Sequence, residues 1–456
     1  MARIDFAAYR EDLIESLQAC LRIPSVRDMT TAKEGQPYGK GVAEALNWIE
    51  NMAKKDGFVV KNYEGHVVTI DSPHTGKEKT VEVVSHLDVV GVGAGWDRDP
   101  FSAEIIGNRL YARGTDDMKR AVVLVYYAFK ILKDYGIPLK NQLRLVYGGD
   151  EETNMDDMKY YRWQVPAPDF AFTPDGTFPL CIGEKGAYTV ECSSQVPKES
   201  LILSLKGGEG SNVVASSATL ILKTSNSKPA EVYCNLHNID AVIHKVEDKV
   251  QIDIKGVGAH ASTPELGINA IVQALALVSE AYQDDYASYL FERLGQFNGE
   301  GVGIAQETKE MGKLTFNLGT IHWKESGEIM FEIDIRYPNS TDSRWLAEQL
   351  QKSFPDFEFL VTYDVPWTLQ DANRPAIQAL MQTYKEFYPD LDQELQISGG
   401  VTYSKFIPNC VSFGASLPTD QKIAHQANEY ICIDSLETLL ALYTETLRKL
   451  GQLEEL

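Results

Sequence analysis

Val81-Glu82-Val83-Val84-Ser85-His86-Leu87-Asp88 is the stretch that decides the fold. Its first four residues are a short apolar run rich in β-branched side chains, which reads as a strand. The run leads straight into a histidine with an aspartate two residues on. Two later segments repeat this plan: Leu143-Arg144-Leu145-Val146-Tyr147 runs into Asp150-Glu151-Glu152, and Asp169-Phe170-Ala171-Phe172 runs into Pro174-Asp175. Between them a helical pattern from about Met118 to Leu132 begins directly at Asp116-Asp117. Alternating strand and helix predicts an α/β domain. The polar motifs fall just after strands, where open α/β sheets hold their ligands.

Outward from that core, helices are predicted from Phe6 to Leu21 and from Gly41 to Lys55, the latter with Val42, Ala45, Leu46, Ile49 and Met52 on one face. Strands are expected at Phe58–Val60 and Val67–Ile70. From about Ala187 the texture changes. Ala187–Glu191, Val213–Leu222, Val250–Ile254, Glu328–Ile335 and Glu358–Tyr363 read as strands, Gly267–Tyr282 and Leu346–Phe354 as helices. The expected fold class is therefore α/β, with a central mixed sheet flanked by helices and interrupted by an inserted α+β lid domain. The catalytic domain spans residues 1–186 and 396–456, the insertion 187–395. A final helix is marked by Asp434 as N-cap, Glu437 in the capping-box position, and a Leu436, Leu439, Leu440, Tyr443, Leu447, Leu450 stripe.

A chain of 456 residues exceeds one ordinary core, and 44% hydrophobic content is normal for a globular enzyme. The net charge of −22 argues against a nucleic-acid partner, which needs a basic surface, and suits multivalent cations. No apolar run approaches the ~20 residues of a membrane helix. Met1-Ala2-Arg3-Ile4-Asp5-Phe6 does not read as a signal peptide, so a cytoplasmic setting is expected. The six cysteines are scattered without a CxxC, which predicts reduced, mostly buried thiols.

The chemistry lies in His86, Asp88, Asp116-Asp117, Glu151-Glu152, Asp175 and the distant His425. On a strand, residues two apart face the same way, so Asp88 can hold or tune His86. Adjacent carboxylates at a strand end repel unless a cation sits between them. One can bind metal while the other takes a proton from the attacking water. Each motif alone has a plainer reading: a surface His beside an acid, a helix N-cap, a solvated acidic turn. Together they supply donors for divalent metal, and two imidazoles suit Zn, Mn or Co rather than Ca.

His86-Leu87-Asp88-Val89-Val90, Gly95-Trp96 with Pro100-Phe101, Arg113-Gly114-Thr115-Asp116-Asp117-Met118-Lys119, Asp150-Glu151-Glu152 and Ala424-His425-Gln426 resemble the M20 metallopeptidases. Gly258-Ala259-His260-Ala261-Ser262, Asp334-Ile335-Arg336-Tyr337-Pro338 and His425–Tyr430 resemble more narrowly its PepV-type dipeptidase branch. The resemblance spans nearly the whole chain. It implies two divalent ions, with Zn2+ as the first expectation and Mn2+ or Co2+ as alternatives. His86 and Asp175 would hold one ion, Glu152 and His425 the other, and Asp117 would bridge them. Glu151 would be the general base and then acid, Asp88 would orient His86, and the peptide bond after Asp117 would be cis.

The resemblance also makes His260 the oxyanion donor and Arg336 a bidentate clamp on the substrate carboxylate, with Asn212, Gly399 and Gly400 beside the substrate. The plainer readings are a helix-capping histidine and a strand-edge salt bridge. Three positions depart from the family pattern: Arg120 for the usual Gly, Lys405 for the usual Arg, and Gly176 for a bulkier residue. The reading is a monomeric metallopeptidase acting on unblocked dipeptides. An N-acyl amino acid deacylase or desuccinylase, and a non-catalytic metal-binding protein, stay open as alternatives.

Overall fold

The computed structural model describes residues 4–73, 78–196 and 200–456, so Met1–Arg3 of the N-terminal reading lie outside it. The chain divides into two compact units, Met1–Gly183 with Leu369–Gln396 and Val401–Leu456, and Glu184–Thr368 with Ile397–Gly400.

In the first unit the strands run in the order Val59–Tyr63, Val67–Asp71, Gln142–Gly148, Thr80–His86, Phe170–Thr173, Cys410–Ser412. The first two join antiparallel. Gln142–Gly148, Thr80–His86, Phe170–Thr173 and Cys410–Ser412 are mutually parallel. The parallel strands are buried on both faces, so Thr80–His86 carries Val81, Val83 and Val84 rather than a strict alternation, and its buried Glu82 is met by Tyr161 and Arg162. Helices Arg10–Leu21, Lys40–Lys55, Arg120–Asp134, Asp156–Gln164, Pro375–Phe387 and Leu436–Gln452 flank the sheet. Arg120–Asp134 is apolar almost all round and lies buried, packed by Arg10–Leu21 and Leu436–Gln452.

Beside a small two-stranded sheet of Glu307–Thr308 and Gly312–Lys313, the second unit is built on an antiparallel sheet of eight strands. Their order is Asp240–Val246, Lys249–Lys255, Ser217–Leu222, Ile202–Gly207, Thr315–Trp323, Glu328–Tyr337, Gly186–Gln195, Glu358–Val365. Helices Ala270–Tyr282, Asp285–Leu294 and Ser343–Ser353 complete its core with Leu275, Leu290, Leu346 and Phe354. The mixed α/β class with an α+β insertion is what the structure has.

Three local expectations need correction. The helix expected from Met118 starts at Arg120, because Asp117 and Met118 have non-helical backbone angles and no side chain caps it. Asp434 does not cap the last helix: a 3-10 turn Ile433–Ser435 precedes Leu436–Gln452, whose N-cap, Ser435, makes no side-chain bond. Leu369–Gln396, expected in the insertion up to 395, packs in the first unit, where Ala376, Ile377, Leu380 and Tyr384 join its core. All six cysteines are free thiols, five buried and Cys432 exposed. Among the described residues no helix is long and apolar enough to cross a membrane.

Candidate active site

Parallel pairing brings the chemistry together. His86, the last residue of its strand, is in register with Gly148 on one neighbour, while Phe170–Thr173 lies on the other side. The carboxyl ends of three strands thus deliver His86, Glu151 and Asp175 to one place. Donor atoms of these three lie within 4.8 Å of one another, as do those of His86, Asp117 and Glu152.

The turn after Gln142–Gly148 is held from two sides. The Asp88 carboxylate accepts the Glu151 amide at 3.2 Å and the Glu152 amide at 3.0 Å. Asp157 accepts the Gly149 and Asp150 amides at 2.7 and 3.0 Å, and also takes the Tyr403 hydroxyl hydrogen bond. A side chain at Gly148 would overlap Tyr403 and Asp157, and one at Gly149 would overlap Val42, so the two glycines permit this close approach. Asp88 therefore does more than expected. His86 Nδ1 is 2.9 Å from the Asp88 backbone oxygen and 3.5 Å from its carboxylate, which fixes the imidazole and presents Nε2 to the site. Asp157 and Tyr403 had no sequence signal beyond an ordinary helix-start acid and a loop tyrosine.

Asp117 sits in the loop Thr115–Lys119. Gly114, at φ +86°, opens the turn where a Cβ would meet Val89, and Lys119 Nζ anchors the far end on the Cys20 and Ile23 carbonyls. The Asp117–Met118 peptide is cis, as the resemblance implied. One Asp117 oxygen lies 3.1 Å from His86 Nε2 and the other 2.9 Å from His425 Nε2. His425 Nε2 is also 3.2 Å from Glu152, and His86 Nε2 is 3.7 Å from Asp175.

These groups perturb each other strongly. Burial pushes the Glu151 carboxyl well above its usual range, and the Asp175, Glu152 and Asp117 charges add to this. Burial and Asp117 raise Glu152 too. Burial alone would keep His86 neutral, but the Asp117 and Asp88 carboxylates outweigh it and hold its pKa well above normal. His425 is raised to about 10, chiefly by its bond to Asp117. Four carboxylates crowd two imidazoles here, and Glu152 Oε1 is buried with no hydrogen-bond partner. An orphaned carboxylate oxygen among imidazole and carboxylate donors fits a divalent cation of the Zn, Mn or Co type.

The remaining expected residues belong to the second unit and gather within it. The Asn212 carbonyl accepts the Ala261 amide, His260 Nδ1 lies 2.7 Å from Ser262 Oγ, and Gly399 packs on Ser262 where a Cβ would collide. Gly400 donates to Ser398 Oγ. Arg336 departs from expectation. Its Nε and Nη2 already fork onto Asp334 at 2.7 and 2.8 Å, and Nη1 reaches the Gly399 carbonyl at 3.3 Å. A guanidinium only 6% exposed needs its own counter-charge, and Asp334, two residues back on the strand, faces the same way. The bidentate edge expected for substrate is thus engaged internally. Of the departures, Arg120 is buried and joins Asp116 Oδ1 and Ser416 Oγ, each at 2.9 Å. A Cβ added at Gly176 would lie 3.6 Å from Ser412, an ordinary contact, and Lys405 ends a 3-10 turn.

The chain is similar to proteins of known name and fold. The Beta-Ala-Xaa dipeptidase of Lactobacillus delbrueckii subsp. lactis is 28% identical over 466 residues, covering 98% of both chains. YtjP of Bacillus subtilis (strain 168), which carries a provisional dipeptidase name, is 30% identical over 462 residues, covering 97% of this chain and 98% of its own. Human carnosine dipeptidase 1 shares the fold at a TM-score of 0.61 with 13% identity, covering 98% of both chains. The Saccharomyces cerevisiae di-peptidase Dug1p does so at 0.60 with 14% identity, covering 99% of this chain and 98% of its own. The model of Peptidase family M20/M25/M40 matches residues 83–449, from within the strand that ends at His86 to within the last helix. This protein belongs to that family.

Proposed function

We propose that this chain is a dinuclear metal-dependent dipeptidase that hydrolyses unblocked dipeptides in the cytoplasm. The observation that carries the reading is Asp117, whose two oxygens face the imidazoles of His86 and His425 beside the unpartnered Glu152 oxygen. His86 and Asp175 would hold one cation, Glu152 and His425 the other, and Asp117 both. Zn2+ is the first choice, with Mn2+ and Co2+ suited to the same donors. Bound there, such cations polarise a peptide carbonyl and acidify water.

The chain's own residues do the rest. Glu151 takes a proton from the attacking water as the carbon–oxygen bond forms. It then delivers that proton to the amine nitrogen as the carbon–nitrogen bond breaks. Burial raises its carboxyl pKa, the direction that helps it keep a proton for return to the leaving amine. The name of the Lactobacillus relative supports a dipeptide substrate. For His260 as oxyanion donor, and for Asn212, Arg336, Gly399 and Gly400 as substrate contacts, the support is the sequence resemblance. Arg336 would act through Nη1 alone. Glu184–Thr368 as a lid and a monomeric state rest on the same ground.

The test is an assay of metal-stripped protein reloaded with Zn2+, Mn2+ or Co2+ on free dipeptides, tripeptides and N-acetyl or N-succinyl amino acids. Cation-dependent cleavage confined to free dipeptides is expected. Preference for acylated amino acids would make it a deacylase, and no turnover with any cation would reject an enzyme.

A further inference from the structure

Arg113 and Glu429 form a buried ion pair at 2.7 Å, only 2% and 0% exposed, and the mechanism above gives neither a role. Glu429 is spent on the loop that carries Asp117. Its Oε2 accepts the Gly114 amide at 3.1 Å, and its Oε1 accepts the Asp116 and Asp117 amides at 2.7 and 3.3 Å. Arg113 is spent on the loop that carries His425. Its Nη1 also donates to the Gln426 carbonyl at 3.1 Å, and its Nη2 to the His425 carbonyl at 3.2 Å. Nη2 further reaches the Val92 and Gly91 carbonyls, beyond the His86 strand, at 3.3 and 3.4 Å.

The two imidazoles of the site are held differently. His86 is fully buried at a strand end. His425 is 53% exposed and sits in the left-handed region at φ +64°, as does Asn428 at +61°. Non-glycine residues keep such backbone only where surrounding bonds over-determine it. For His425 those bonds come from the Arg113 guanidinium behind it.

We propose that the Arg113–Glu429 pair is a positioning device that sets His425 against Asp117. It thereby governs cation affinity chiefly at the Glu152–His425 position, because of the two imidazole-bearing segments only the His425 loop is held by Arg113, while the shared Asp117 is also faced by the strand-end His86. The inference rests on the dinuclear reading. Only a planar fork can serve the carboxylate and the carbonyls at once, so Lys at 113 keeps the charge and loses the span. Gln at 429 keeps the shape but turns an N–H donor toward backbone N–H donors.

The experiment is a calorimetric titration of the metal-stripped full chain with Co2+, beside Glu429→Gln, Arg113→Lys and His425→Ala. Two binding steps are expected in the native chain. Glu429→Gln and Arg113→Lys should each weaken one step by about 10- to 100-fold, the usual effect of losing a partner behind a ligand. That step should be the one His425→Ala removes, with the other step weakened less and the metal-free variants, though less stable for loss of a buried pair, still melting cooperatively. A stoichiometry of one Co2+ per native chain overturns the dinuclear reading and this inference with it. Two native steps weakened equally, or not at all, in the variants overturn the inference alone. So does failure of both variants to fold, which makes the pair a structural element.

Discussion

Glu151 and Glu152, neighbours in sequence to which the proposed mechanism gives separate tasks, are both fixed by Asp88, which accepts their amides. Glu151→Gln is the sharpest single change. Glu151→Gln should lower turnover by about 100- to 10,000-fold, the range for a general base, while cation affinity measured by titration stays near native. Glu151 also lies within reach of a cation shared with His86 and Asp175. Loss of one binding step in the variant would therefore reassign it as a ligand. Most of this was legible because a His or acid just past an apolar run is an unusual use of a strand end. The Arg336 fork was legible only in part. Asp334 two residues back shares its face, but burial, which forces the pairing, does not show in the sequence.

At the scale of elements, the carboxylate turn depends on Gly148 and Gly149. Gly148→Ala drives a methyl group into Tyr403 and Asp157, both buried. It should cost about 1–3 kcal/mol, read as a lower urea midpoint with unchanged slope. Strand ends and their order could be read from sequence because parallel strands carry short apolar runs. Helix starts could not. Acids precede Arg120–Asp134 and Leu436–Gln452, yet neither helix has a side-chain cap, since Asp117 faces two imidazoles and a 3-10 turn intervenes after Asp434. Leu369–Gln396 was misplaced for a similar reason: the apolar stripe of Pro375–Phe387 announces a helix but not which core receives it.

At the scale of the whole molecule, the perturbed groups make stability depend on cation and pH together. His86 and His425 have raised pKa values, His425 to about 10. Their contribution is complete below the unfolded histidine value of about 6.5 and is lost as pH rises toward the folded values. Glu151 and Glu152 are raised too, so ionising them as pH rises also costs stability. Asp117 is lowered and acts only in acid, outside this window. All four raised groups act in the same direction. The metal-free protein should therefore melt at progressively lower temperature from about pH 6 to about pH 9, and saturating Zn2+ should flatten that slope by taking the place of protons. A metal-free protein that gains stability over this range would count against the arrangement. The most direct measurement is anomalous diffraction at the zinc edge from crystals of the Zn2+-loaded chain. The expected map has two peaks, one between His86 and Asp175 and one between Glu152 and His425, both in contact with Asp117. A single peak, or peaks away from Asp117, would contradict the dinuclear centre.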